Sequence, residues 1–165
     1  MSAIDIRRAT ERDLPLILEF IRALAEYERL SHDVVADVPT LRRFLFGEHA
    51  AAEVVVAERN GASLGFALYF TNFSTFLGRP GLYLEDLFVR PEARGKGVGR
   101  ALLAYLARTT IERDYGRLEW AVLDWNTPAI DFYESLGARC MNEWKTYRVI
   151  GDALSTLAGG HPGGE

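Results

Sequence analysis

The sequence predicts one α/β domain built on a mixed sheet. Three observations carry that reading. Segments of helical spacing and segments of strand character follow one another in the order α-α-β-β-β-α-β-α-β. Asn60-Gly61 stands between two apolar runs, the short-range mark of a β-hairpin. The 165 residues suffice for one ordinary domain, and no internal repeat or linker divides them.

The elements follow in chain order. Thr10 and Asp13 form a Thr-x-x-Asp capping pattern, with Leu14, Ile17, Leu18, Ile21, Leu24 and Ala25 behind it at helical spacing. A shorter helix is expected from Pro39 to Leu45, with Gly47 ending it. Glu53–Glu58, with its run of three valines, and Leu64–Phe73 are the strands joined by the Asn60-Gly61 turn. Two glycines and a proline make Ser74–Gly81 a predicted loop, and Leu82–Val89 the next strand, stopped by Pro91. Val98, Ala101, Leu102, Tyr105 and Leu106 mark a helix, and Leu118–Leu123 a strand. After the turn at Asn126-Thr127-Pro128, Ala129–Leu136 is a short helix with Gly137 at its C′ position. Glu143–Ile150 reads as a last strand, and the glycine-rich tail 159–165 is expected to be disordered, leaving 1–158 as the folded domain.

Composition narrows the class of function. Lys and Arg total 19 and Asp and Glu 23, a formal net charge of −4 that speaks against a nucleic-acid binder working by bulk charge. Cys140 is the only cysteine, which excludes an internal disulfide and a cysteine-rich metal site. His32, His49 and His161 show no ligand spacing, so no metal is expected. The start of the sequence has no apolar stretch of signal-peptide length, and no window is apolar enough to span a membrane. A cytoplasmic protein without a membrane partner is the expectation.

The strongest motif is Arg94-Gly95-Lys96-Gly97-Val98-Gly99, placed between a strand and a helix. Glycines at alternate positions permit a sharp turn and close approach of a ligand to the main chain. The following helix directs its free N–H groups and positive dipole end into that turn. Arg94, Lys96 and Arg100 add three cations, so a phosphate or pyrophosphate is the expected ligand. The motif is neither a Walker A loop, lacking Gly-Lys-Ser/Thr, nor a Gly-x-Gly-x-x-Gly dinucleotide fingerprint.

Arg94, Gly97 and Gly99 also fill the pattern Arg/Gln-x-x-Gly-x-Gly/Ala, and here the sequence resembles the GNAT superfamily of acetyl-CoA-dependent N-acetyltransferases. Three further segments, Ala23–Glu28, Tyr83–Val89 and Trp125–Tyr133, look like its spermidine/spermine (diamine) acetyltransferase branch. The resemblance implies a mostly antiparallel sheet with a splayed strand pair at the acetyl-CoA site. It implies that the backbone of Leu87, Phe88 and Val89 meets the acetyl group and the pantetheine arm, with the Leu87 N–H on the acetyl carbonyl. Gly95, Lys96, Gly97, Val98, Gly99 and Arg100, with Arg94, would hold the pyrophosphate, and Asn126 the pantetheine arm. A homodimer is likewise implied.

Glu85 and Asp86 are adjacent acids in an otherwise apolar strand, so alternation sends at least one of them toward an apolar face. Such a carboxylate must be paired, wet or shifted in pKa. Pairing with a core arginine is one solution; the other is a strand opened at an active site whose acids take an ammonium. A primary alkylamine arrives protonated, so its acylation needs a group to hold the cation and one to accept a proton. On its residues alone Glu28 reads as solvated surface and Tyr133 as core. The resemblance makes Glu28 a substrate-pocket acid beside Glu85 and Asp86, Tyr133 the general acid for the leaving thiolate, and Trp144 an aromatic wall of the amine site. Trp125 is a weaker candidate for that wall, and Cys140 reads as a small apolar filler.

The sequence departs from the diamine branch at a short second turn, Arg59–Ser63, at Ala129 in place of a hydroxyl residue, and at Lys96 in place of an aromatic one. The expected activity is acetyl transfer to a small primary amine, a di- or polyamine or a lysine- or thialysine-like compound, by direct attack. The alternatives are an acyl-CoA-binding sensor without catalysis and an acetyltransferase of protein amines.

Overall fold

The computed structural model describes residues 2–159, so His161 and all of the expected tail but Gly159 lie outside the described residues. The chain divides into two compact units, Met1–Leu123 and Asp124–Glu165. The first holds a five-stranded sheet of β1 (Asp5–Arg8), β2 (Glu53–Arg59), β3 (Ala62–Ser74), β4 (Arg79–Val89) and β5 (Leu118–Trp120). Their order in the sheet is their order in the chain, antiparallel throughout except for the parallel pair β4–β5. The helices α1 (Leu14–Tyr27), α2 (Val38–Phe46) and α3 (Val98–Glu112) flank it, giving the mixed, mostly antiparallel α/β architecture that the sequence predicts.

Local chemistry explains the elements. The Thr10 N–H donates to Asp13 Oδ2 at 2.8 Å, closing a single 3-10 turn that leads into α1. Arg7 grips both Asp13 oxygens at 2.8 Å and so ties β1 to the helix start. α2 begins one residue earlier than expected because Asp37 caps it, accepting the Thr40 N–H at 2.9 Å. At the β2–β3 turn Asn60 and Gly61 both adopt positive φ, 52° and 76°, as a two-residue hairpin of this hand requires.

The α1-facing side of the sheet is apolar. Ile17 and Phe20 of α1 pack with Val54, Phe66 and Phe88, and the Phe20 and Phe66 rings stack at 5.1 Å. Val55, Ala57, Ala67 and Tyr69 point to the opposite face by alternation, and all are buried. α3 covers that face with Val98, Leu102, Leu103 and Leu106. Its end is fixed by Arg113, which binds both oxygens of Glu53, the cross-strand partner of Tyr69, at 2.7 and 2.8 Å.

Four expectations need correction in detail. β1 was not anticipated: four residues with three charges carry little strand signal, and pairing with β2 makes the strand. The expected loop Ser74–Gly81 shrinks to the turn 75–78, because β3 and β4 pair out to Ser74↔Arg79. Pro80 is tolerated there since its polar edge faces away from β3, its carbonyl accepting the Gly116 N–H at 2.9 Å. The strand expected at Leu118–Leu123 stops at Trp120. The strand expected at Glu143–Ile150 is irregular and exposed. Its backbone forms local turns instead, Trp144 N–H to Met141 O and Leu154 N–H to Ile150 O.

The second unit carries α4 (Thr127–Ser135) and α5 (Gly151–Leu157). α4 ends as expected on Gly137, φ 90°, with Gly137 N–H bonded to Glu134 O and Ala138 N–H to Tyr133 O. Cys140 is exposed and donates to Asn142 Oδ1 at 2.9 Å, so it is no apolar filler. Among the described residues no helix is long and apolar enough to cross a membrane.

Gly65 offers a test of the packing. A Cβ there would meet Phe88 O at 2.3 Å and the Val89 Cα at 3.1 Å. Gly65→Ala should therefore lower stability by about 1–3 kcal/mol, as overpacking does, read as a lower urea midpoint at unchanged slope.

Candidate functional site

The site begins with a single extra residue. β3 and β4 pair Tyr69 with Leu84 and then Leu68 with Asp86, leaving Glu85 as a bulge without a cross-strand partner. Everything after it changes face. Before the bulge Leu84 lies opposite Tyr69, on the α3 side; beyond it Phe88 lies opposite Phe66, on the α1 side, and Asp86 joins it there.

The hydrogen-bonding edges exchange in the same way. The Leu82 N–H donates toward β5, to Arg117 O at 3.0 Å, whereas the Arg90 N–H donates toward β3, to Leu64 O at 2.8 Å. Alternation from Arg90 backward gives Phe88 to β3 and sends the peptide groups of Leu87 and Val89 to the other edge. On that edge the ladder has already ended, at Leu84↔Trp120. The strands therefore splay, and the main chain of Leu87 and Val89 faces the gap.

The bulge also settles where the adjacent acids go. Glu85 is exposed and Asp86 half-buried, with Glu28 half-buried at the C-cap of α1. Burial pushes the Asp86 carboxyl up to about 6, aided by repulsion from Glu85 and Glu28. Burial also raises Glu28, with Glu85 adding to it. Three carboxylates from two elements thus share one neighbourhood, with no core arginine among the causes of the Asp86 shift. Tyr83, whose ring is tilted against that of Phe70 at 5.1 Å, is raised as well, first by burial and then by Glu85 and Glu119. Glu28 is held by an abrupt end to α1. The Leu30 N–H reaches Ala25 O at 2.8 Å and Arg29 takes φ 62°, a conformation that glycine fills more easily.

The glycine turn has the predicted form. Gly95 and Gly97 take φ 73° and 84°, and Gly97 caps α3, whose first turn contains Val98, Gly99 and Arg100. A Cβ on Gly97 would meet nothing within 4 Å, so glycine is needed there for backbone conformation and not for space. Two of the three cations also bond within the fold. Lys96 Nζ donates to Glu92 O at 3.0 Å, and Arg94 Nε to Val89 O at 2.9 Å.

The Arg94 guanidinium lies over two rings, its carbon 5.0 Å from the centre of Tyr27 and 5.5 Å from that of Phe88. Arg90 lies 4.9 Å over Phe20, whose ring is 5.7 Å from Phe88. The resulting row Arg90–Phe20–Phe88–Arg94–Tyr27 is invisible in sequence, because its members come from α1, β4 and the turn after it. The one available signal was Phe20 and Tyr27 seven residues apart, two turns of one helix face.

Within the second unit, Asn126 is buried at the N-cap of α4, and its carbonyl accepts the Ile130 N–H at 3.0 Å. Tyr133 is half-buried with its ring 5.7 Å from that of Phe132. Trp125 and Trp144 are both exposed, Trp144 to 70%. The structure thus brings Glu28, Glu85 and Asp86 together in the first unit, while Asn126, Tyr133 and Trp144 stand in the second.

Residues 18–138 match the model of the acetyltransferase (GNAT) family. A thialysine N-epsilon-acetyltransferase from Sus scrofa is 39% identical over 170 residues, covering 96% of this chain and 99% of that protein. An L-ornithine N5-acetyltransferase from Arabidopsis thaliana is 32% identical, over 92% of this chain and 86% of its own. Among solved structures, an integron cassette protein from the mobile metagenome of V. cholerae superposes with a TM-score of 0.78 at 34% identity, covering 96% of this chain and 98% of that one.

The carboxylate cluster should show in the pH dependence of stability. The folded-state pKa of Asp86 lies above its unfolded value, at about 6 against 3.8, so its ionisation opposes folding as pH rises through that window. As pH falls through 3.8 the unfolded state takes up the proton too, and the cost fades. Asp86→Asn should therefore stabilise the protein above pH 7 by about 3 kcal/mol and leave it unchanged near pH 3.5. Denaturant melts at the two pH values measure the difference; an equal effect at both would dismiss the strained carboxylate.

Proposed function

The chain belongs to the acetyltransferase (GNAT) family, and from that premise we propose that it transfers an acetyl group from acetyl-CoA to a primary amine of a small cationic substrate. Direct attack in a ternary complex is the mechanism, and a lysine-, thialysine- or polyamine-like compound the substrate. One observation carries the reading: three carboxylates gather at a strand bulge, beside the edge of β4 where the ladder to β5 has ended. The names of the relatives, a thialysine and an ornithine acetyltransferase, favour the same class of amine.

The residues present fit the cosubstrate. The turn Arg94–Gly99 has a positive-φ backbone and the start of α3, which suit a pyrophosphate. The peptide groups of Leu87 and Val89 on the splayed edge suit an amide-bearing arm, with the Leu87 N–H as donor to the charge developing on the carbonyl oxygen. Acetyl-CoA supplies an activated thioester carbonyl and a thiolate leaving group.

The protein's own residues do the remainder. Glu28, Glu85 and Asp86 attract the ammonium, with Trp144 as an aromatic contact for it, and the amine's extra proton passes to the cluster through water. The amine nitrogen then bonds to the carbonyl carbon as the carbon–sulfur bond breaks. Tyr133 gives the departing sulfur a proton and regains one, through water, from the new amide nitrogen as it loses its second proton, and Asn126 holds the arm. An incoming ammonium favours the ionised form of Asp86, which burial and then its carboxylate neighbours raise to about 6, so substrate binding should expel a proton from it between about pH 5 and 7. We assign the protein to the cytoplasm as a homodimer, on its acidic composition with one cysteine and on its resemblance to the diamine branch.

A panel of lysine, thialysine, ornithine and polyamines with acetyl-CoA tests the reaction, read as acetylated product by mass; no product from any of them ends the proposal. Tyr133→Phe should lower kcat roughly 100-fold or more with coenzyme A affinity nearly intact. Intact kcat in that variant would remove Tyr133 as the general acid.

A further inference from the structure

Arg94 sits in the glycine turn, yet its side chain contacts lie elsewhere. Its Nε bonds to Val89 O at 2.9 Å, and its guanidinium fills the space between the Phe88 and Tyr27 rings at 5.5 and 5.0 Å. Phe20, two turns before Tyr27 on the same helix face, meets Phe88 directly at 5.7 Å. Toward its end α1 is thus fastened to β4 through a cation instead of by ring against ring. Tyr27 is the last residue of α1, and Glu28 follows it. The tight turn with Arg29 at φ 62° leaves Glu28 little freedom of its own, so its position follows that of Tyr27.

We propose that Arg94 is a positioning residue: by clamping Tyr27 against Phe88 and the Val89 carbonyl, it holds Glu28 beside Asp86 and ties the glycine turn to the amine pocket. This rests on the reading of the acidic cluster as that pocket. A guanidinium suits the task because its plane covers two rings while an edge N–H donates to a carbonyl; a lysine offers no such plane. An arginine serving only as a ligand for phosphate would make no demand on Tyr27, a residue outside the turn.

Tyr27→Leu, Tyr27→Phe, Arg94→Met and Arg94→Lys separate the two roles. Three quantities are read: the amine KM, the calorimetric Kd of coenzyme A, and the titration midpoint of the Asp86 carboxyl by carbon NMR. Asp86 is faced by Glu28 from α1 and by Glu85 on its own strand. Tyr27→Leu should raise the amine KM about tenfold, through loss of the cation–π contact, with the coenzyme A Kd within about twofold of wild type. It should also lower the Asp86 midpoint, because Glu28 moves off. Tyr27→Phe keeps the ring and should restore both. Arg94→Met and Arg94→Lys should lower the Asp86 midpoint too, although in Arg94→Met the loss of a cation alone would raise it.

An Asp86 midpoint and amine KM unchanged in Tyr27→Leu, with Arg94→Met affecting coenzyme A alone, would overturn the clamp. If Tyr27→Leu does not fold, the Arg94→Lys midpoint decides: lowered, it supports the clamp; unchanged or raised, it defeats it. If the wild-type protein acetylates no amine, the proposed reaction falls, and the Asp86 titration still decides whether Arg94 positions Glu28.

Discussion

A bulge is a constraint on every residue that follows it. Glu85 is the one residue of β4 that β3 does not match, and its insertion turns Asp86 toward α1 and the peptide groups of Leu87 and Val89 toward the edge that β5 abandons. Were Glu85 paired in regular register, alternation would put Asp86 on the α3 face, where Leu84 and Tyr69 are buried. Acidic cluster and open edge therefore share a cause.

The site is costly to the fold, and neighbouring contacts offset that cost. Asp86 and Glu28, raised first by burial and then by neighbouring carboxylates, oppose folding at neutral pH, and Arg29 adds a backbone conformation that glycine adopts more easily. Against this stand the stacked Phe20 and Phe66 beneath the same strand, and acids placed to the opposite effect. Asp13, bound by Arg7, and Glu53, bound by Arg113, are both held below the usual carboxylate range. The protein thus keeps two populations of carboxylate, one paired and fastening the ends of helices, the other unpaired and gathered at a gap.

Much of this was legible in the sequence, for identifiable reasons. Asn60-Gly61 demands its turn because few other pairs accept two positive φ angles, and the glycines of 95–99 announce a backbone turn ahead of a helix. The adjacent acids in an apolar strand were a contradiction that only an irregularity resolves, so the bulge was legible as a conflict before it had a position. Features that depend on a partner were not legible. β1 owes its extension to β2, and the segment 143–150, though rich in strand-forming residues, is irregular. The Arg94 side chain was read from its motif as a phosphate ligand. Its contacts with Tyr27 and Phe88 come from residues far apart in the chain, which no local pattern records.

The sheet's simple order has a consequence for how the chain reaches this state. Because sequence order and spatial order coincide, β2, β3 and β4 zip together across turns of a few residues, with little loop-closure entropy to overcome. The two expensive closures are β1 onto β2, spanning α1 and α2, and β5 onto β4, spanning α3. β5 adds only three pairs against four for β1, so the edge beside the bulge is the most thinly held junction of the sheet, although its connection is the shorter of the two. The folding route and the opening of the sheet share a seam: one of the two junctions that must wait for a helical connection is also where the strands part.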